Sequence, residues 1–270
     1  VTALVAPDRV RARVRVRLAG PGAVDRHLGA LVVWALLAPD LRFDGRVLAT
    51  AAVFLLGEVC VVLAALARDG GERVRGAPPT GPRALRLATV GALLWAVALV
   101  LAPHRPTWAV ALVAVAPLVA LLRSRRPRPG RRRAPFPAAL GWAFVLVPHG
   151  LVAGDPDGAV VVQALLFGLG PLLLGVRSAA GDDPTTTAPA CPRGGALFVT
   201  AVSAVEFLLV CAAPLVGAPW WFPFALLPTA VVRCCRLRVG FARGDAARAR
   251  RLDVRAHRLT VAALVAVNLL

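Results

Sequence analysis

Apolar residues run along this chain in long blocks separated by short polar ones. Nine apolar blocks fall at residues 24–39, 47–67, 85–103, 107–122, 138–153, 158–176, 196–216, 218–233 and 257–270. A helix needs roughly 17–25 residues to cross a bilayer core at 1.5 Å per residue. The first, fourth, fifth, eighth and ninth blocks are short for a bilayer core by that measure. The expected fold is all-α: a polytopic membrane protein, a bundle of about nine transmembrane helices around a central cavity. No long polar insertion interrupts the blocks, so residues 24–270 read as a single transmembrane bundle. Residues 1–23 form a basic segment that should lie in the cytoplasm. That segment has no apolar stretch of its own, which does not fit a cleavable signal peptide.

Composition sharpens this picture. The chain is 58% hydrophobic with a mean hydropathy of +0.71, well above ordinary soluble domains. Its net charge of +18 is the balance of 32 basic residues, all arginine, against 14 acidic ones. Such a charge would suit nucleic acid, but the distribution excludes that reading. Twenty-nine arginines fall in the N-terminal segment and in alternate connectors, and three (Arg42, Arg46, Arg105) fall in the others. This is positive-inside asymmetry. It makes the chain an integral protein of the cell membrane, with the N-terminus cytoplasmic and the C-terminus outside. Attraction to anionic lipid headgroups is a second role for the arginines. Trp108, Trp220 and Trp221 fall at expected outer helix starts, where interfacial anchors belong. The outer connectors are tight and the inner ones longer, so chemistry is expected on the inner face.

Two inner connectors carry clustered acids. RDGGERVR (residues 68–75) holds Asp69 and Glu72, and VRSAAGDDPTTTAPACPRGG (176–195) holds Asp182 and Asp183. Carboxylates on one face of a bundle can share Mg²⁺, which takes a few carboxylates plus phosphate oxygens. Arginines beside them can grip a diphosphate in bidentate fashion. The plainer alternative is exposed ion pairs of little consequence. The five cysteines form no C-x-x-C pair and the four histidines lie in separate segments, so neither suggests a metal site.

This arrangement resembles the UbiA superfamily of intramembrane prenyltransferases. That family has nine helices and places its acidic motifs in the 2–3 and 6–7 inner loops. The first family motif, N-D-x-x-D-x-x-x-D, precedes a turn before the third helix; here Asp69 precedes PPTGPRALRLATVGALLWAVALVLA. The second, D-x-x-x-D, precedes a Gly/Thr-rich segment; here SAAGDDPTTTAPACPRGGAL stands in its place. APFPAALGWAFVLVPHGLVAG resembles the fifth helix. The likeness covers most of residues 24–260 and is one of architecture and spacing. The chain departs from the motifs: Val61, Val62 and Ala65 stand at three earlier polar positions, and Ser178 stands four before Asp182. The resemblance implies a Mg²⁺-assisted transferase acting on an isoprenoid diphosphate, with prenyl transfer to an acceptor of unknown identity or cyclisation. Asp69, Glu72, Asp182 and Asp183 would hold Mg²⁺, and Arg68, Arg73 and Arg177 the diphosphate. A non-catalytic relative that binds lipid or a partner protein is the second reading.

Glu58 lies inside the second apolar block. Positions 58, 62, 65, 69 and 72 step 4-3-4-3 and so share one helical face. This stripe makes Glu58 a catalytic candidate beside Asp69 and Glu72, near the tail or acceptor of a ligand. An ionisable group in a span is costly and usually faces a partner or cavity. A helix–helix hydrogen bond is the alternative. Glu206 and Gln163 are similar cases, and a small transporter using Glu58 and Glu206 is a third reading. GLGPLLLG (168–175) reads as a helix softened for close packing.

Overall fold

A computed structural model describes residues 21–37, 44–72, 82–124, 141–179, 192–242 and 246–270. Among these the regular structure is entirely helical, with no strand. The helices are α1 (Pro21–Leu37), α2 (Gly45–Glu72), α3 (Pro82–Leu101), α4 (Thr107–Ser124), α5 (Ala143–Ala153), α6 (Gly158–Ala179), α7 (Pro192–Ala212), the single turn α8 (Phe222–Ala225), α9 (Leu227–Ala242) and α10 (Ala246–Leu269). A 3-10 turn, Ala213–Val216, follows α7.

The nine apolar blocks therefore correspond to α1 to α7, α9 and α10, with three corrections. The block expected at 218–233 is broken at Leu226 into α8 and α9, with Pro223 and Pro228 on either side of the break. The stretch expected as a basic loop, 234–256, is helical apart from residues 243–245, which lie outside the described residues. It belongs to a hairpin of α9 and α10. Its alanines and arginines are good helix formers, and the face at Ala249, Asp253, Ala256, His257 and Thr260 is buried. Likewise α2 does not stop at residue 67 but runs through Gly70 and Gly71 to Glu72.

Helices α2 and α3 run antiparallel, as do α9 and α10. Trp95 Nε1 on α3 donates to the Phe54 carbonyl on α2 (3.3 Å), beneath a stacked Phe54–Trp95 pair. The α2–α3 crossing is close because Gly57 and Gly91 face each other: a Cβ on Gly91 would lie 3.0 Å from the Gly57 carbonyl oxygen. On the opposite side of the same crossing, Arg46 Nε donates to the Leu101 carbonyl (2.7 Å) and its Nη2 to the Ala102 carbonyl (3.4 Å). Arg105 Nη2 donates to the Val100 carbonyl (2.6 Å). Two of the three arginines that break the charge asymmetry thus cap the C-terminus of α3, where cations are favoured.

Helix α5 is buried from Val145 to Val152. One of its faces joins a core built with α2, α3 and α4 around Phe54, Trp95, Ala98 and Val113. The other joins a core built with α1, α6 and α10 around Val32, Phe167 and Leu264. Trp108 packs over Gly150 and donates from Nε1 to Asp155 Oδ1 (3.0 Å). Asp157 Oδ1 accepts from the Val160 amide (2.8 Å), an N-cap that starts α6. The GDPDG connector is tight for these reasons. Trp108 is consequently half-buried, whereas Trp220 is exposed and meets Phe224 edge to face at 6.3 Å.

Candidate functional site

Helix α2 has two faces. Ala52, Leu55, Leu56, Val59 and Leu63 are exposed, while Thr50, Phe54, Gly57, Glu58 and Ala64 are buried. Glu58 is 5% exposed and belongs to the inward face. Its Oε1 makes no hydrogen bond among the described residues. Eleven residues further along the same unbroken helix lies Asp69, and Glu72 ends it. At 1.5 Å per residue Glu58 and Asp69 are about 16 Å apart along the axis. The side chains of Arg68, Asp69, Glu72 and Arg177 lie outside the described residues, although their backbones are helical in α2 and α6. Arg73, Asp182 and Asp183 lie wholly outside them. Among the described residues no group of three His, Cys, Asp or Glu side chains could hold a metal ion. The acids assigned to Mg²⁺ are not in that set.

The described structure brings together a different set of charges. Glu206 on α7, Arg233 and Arg236 on α9 and Asp253 on α10 are all buried. Arg233 Nε donates to Glu206 Oε2 at 2.8 Å, and its Nη1 donates to Asp253 Oδ1 at 3.3 Å. Arg236 Nε donates to the same Asp253 oxygen at 2.9 Å. Two acids and two guanidinium groups balance in formal charge. Buried charges persist only when paired in this way, because desolvation costs several kcal/mol per ion. The network therefore joins three helices at one level. It also commits Glu206, expected as an intramembrane ion or proton site, to a guanidinium partner.

Above this level the α10 face stays polar for two more turns. Thr260 Oγ1 lies 3.5 Å from Thr229 Oγ1 and donates to the Ala256 carbonyl at 3.1 Å. His257 is 1% exposed and tilts against Phe167 with ring centroids 5.2 Å apart. Gly170 of α6 faces it, and any Cβ there would overlap the imidazole. Nearer the other end Gln163 and Asn268 exchange amide hydrogen bonds of 2.6 and 3.3 Å. Gln163 was thus a sound sign of a helix–helix polar contact, and GLGPLLLG of close packing.

The sequence reading missed the four-charge network, since it took 234–256 for a loop. One signal was available. Positions 249, 253, 256, 260, 264 and 267 step 4-3-4-4-3, and Asp253 is the single acid in α10. The arginines at 248, 251, 255 and 258 lie on the other face. An acid on the apolar stripe of a basic helix calls for a buried cation.

The fold defines the class of this protein as an all-helical bundle in which the stretch Leu197–Val216 is long and apolar enough to cross a membrane. No family model, curated protein or solved structure matches the chain.

Proposed function

We propose that the chain is a polytopic membrane protein of nine spans and an intramembrane transferase acting on an isoprenoid diphosphate, organised like the UbiA superfamily around a central cavity. The membrane half of the proposal rests on the exterior. Large apolar side chains stand exposed on α1 (Trp34), α2 (Leu56), α3 (Leu93), α7 (Phe207, Leu208) and α9 (Val231). Soluble monomers rarely expose apolar surface so widely. Only 22% of the Leu197–Val216 window is buried, whereas a core helix of a soluble protein would be mostly covered. The antiparallel α2–α3 and α9–α10 pairs and the arginine asymmetry fit the same topology. In a cysteine-free background, Gly76→Cys, Gly130→Cys and Thr186→Cys should react only with a membrane-permeant thiol reagent, and Pro156→Cys with an impermeant one. Impermeant labelling at any of the first three sites in sealed cells would overturn the topology.

The observation that carries the catalytic half is the continuity of α2. Glu58, buried in the bundle, lies on the same helix as Asp69 and Glu72, which stand at its C-terminal end. Carboxylates are the right donors for Mg²⁺, which when bound would neutralise charge on the leaving diphosphate. Asp69, Glu72, Asp182 and Asp183 would hold the metal. Arg68, Arg73 and Arg177 would grip the phosphates, and Glu58 would stand beside the tail or the acceptor. Prenyl diphosphates should bind the purified protein in a Mg²⁺-dependent manner, and Asp69→Asn should weaken binding about tenfold or more. Glu58→Gln should leave binding and fold intact but abolish turnover. Binding indifferent to both Mg²⁺ and Asp69→Asn would remove the transferase reading. The non-catalytic reading is favoured by one observation, the loss of the family's other polar motif residues at Val61, Val62, Ala65 and Ser178. The transporter reading is weakened by the ion pair of Glu206 with Arg233.

A further inference from the structure

We infer that the α9–α10 hairpin carries a docking surface for anionic phospholipid, with the headgroup phosphate received by Arg238, Arg251 and Arg255. The inference rests on the membrane reading above and adds a defined site to it. The exposed positions of α10 are Arg248, Arg251, Arg255 and Arg258, then Ala262, Ala266 and Leu269. The face changes from cationic to apolar within one turn, between 258 and 262. On α9 the exposed face runs the other way, from Leu227 and Val231 through Cys234 and Cys235 to Arg238.

The contacts between the two helices set their register. Thr229 meets Thr260, and Arg233 and Arg236 meet Asp253. Arg238 is therefore level with Arg251, and the Cys234–Cys235 pair is level with Arg255. Both helices change from apolar to basic over the same short span of height. A hydrocarbon edge with arginines just beyond it is the geometry of the headgroup layer, where long cationic side chains reach out to phosphate.

Charge complementarity identifies the occupant. Helix α9 has no acidic residue. The one acid of α10, Asp253, is buried beneath Arg233 and Arg236 and neutralised by them. Neither helix therefore sets an exposed acid beside Arg238, Arg251 or Arg255; Asp245, in the connector between them, lies outside the described residues. Arg248 and Arg258 have interactions within the protein, so the site is assigned to the other three. Guanidinium forks suit phosphate, and the adjoining apolar face of Leu227 and Val231 suits the acyl chains of the same lipid.

The test uses the full chain reconstituted in nanodiscs of phosphatidylcholine, with or without phosphatidylglycerol. Phosphatidylglycerol should raise the thermal unfolding midpoint of the wild type by on the order of 5 °C. The R238Q/R251Q/R255Q variant should unfold like wild type in phosphatidylcholine alone and lose most of that increment. Glycerol 3-phosphate added to phosphatidylcholine discs should not reproduce it. An increment that survives in the triple variant, or an equal one from the soluble phosphate, would overturn the inference. So would a wild type that inserts into discs but ignores phosphatidylglycerol. Should the triple variant not fold, the three single variants decide: each should lose part of the increment, and an undiminished increment in all three overturns the site. A chain that stays soluble without detergent or disc would instead sink the membrane reading itself.

Discussion

Asp253→Asn should cost about 3–5 kcal/mol of stability, the usual scale for removing one partner of a buried ion pair. Asp253 Oδ1 receives both Arg233 Nη1 and Arg236 Nε, and its side chain is fully buried. An amide has the same shape but no charge to offset two guanidinium groups. Arg236 would lose the one carboxylate partner found for it among the described residues, while Arg233 would keep Glu206. Glu206→Gln should therefore cost less than Asp253→Asn, because Arg233 would keep Asp253. A variant with all four positions made apolar (E206L, R233M, R236M, D253L) should fold, since replacing a whole buried network by packed side chains is often neutral or stabilising. Denaturant unfolding in a mild detergent gives all three numbers. A cost for Asp253→Asn below about 1 kcal/mol would mean that water reaches the network and screens it.

What the sequence made legible, and what it hid, divides along the range of the physics involved. Runs of apolar residues are local, so each long helix is anticipated by a block. The asymmetry of the arginines is also a property of connectors, and its exceptions at Arg46 and Arg105 proved to be caps on α3. Helix ends were harder. Gly70-Gly71 looks like a stop, yet α2 continues to Glu72, because two glycines cost only about 2 kcal/mol in a helix already nucleated over many turns.

Hydropathy failed most at 234–256. Its mean is set by arginines on one face, while the face that packs carries Ala249, Asp253 and Ala256. Periodicity, not the average, held the answer there. Pairing across 27 residues, as between Glu206 and Arg233, leaves no local trace. Glu58 is buried, as expected of it, but of the stripe 58-62-65-69-72 it is the one position whose side chain is described, and Leu55, three residues earlier on the same 3-4 step, is exposed. The side chains of Asp69 and Glu72, and Asp182 and Asp183 entirely, lie outside the described residues, so their grouping with Glu58 is the proposal made above.

Gly170→Ala should be among the most damaging single-methyl changes in the protein, costing about 3 kcal/mol, the upper end for overpacking a core. The new Cβ would overlap His257 Nδ1 and crowd Cγ and Cε1 of the same ring. A flexible side chain would swing away, but His257 has no room to do so. It is 1% exposed and lies against Phe167, which is itself fully buried. Phe167 is held from behind by α1, where a Cβ on Gly29 would lie only 3.0 Å from the phenyl ring. Retreat of the imidazole would thus push through Phe167 into α1. The remaining escape is to separate α6 from α10, which would stretch the Gln163–Asn268 amide pair as well. Removing the ring should remove the clash. His257→Ala alone should destabilise through lost contacts and a cavity, yet Gly170→Ala added to it should cost little. The double-mutant cycle should therefore show a coupling of at least about 2 kcal/mol. Additive costs, or a Gly170→Ala protein that unfolds like wild type, would show that α6 and α10 do not meet at His257 as described.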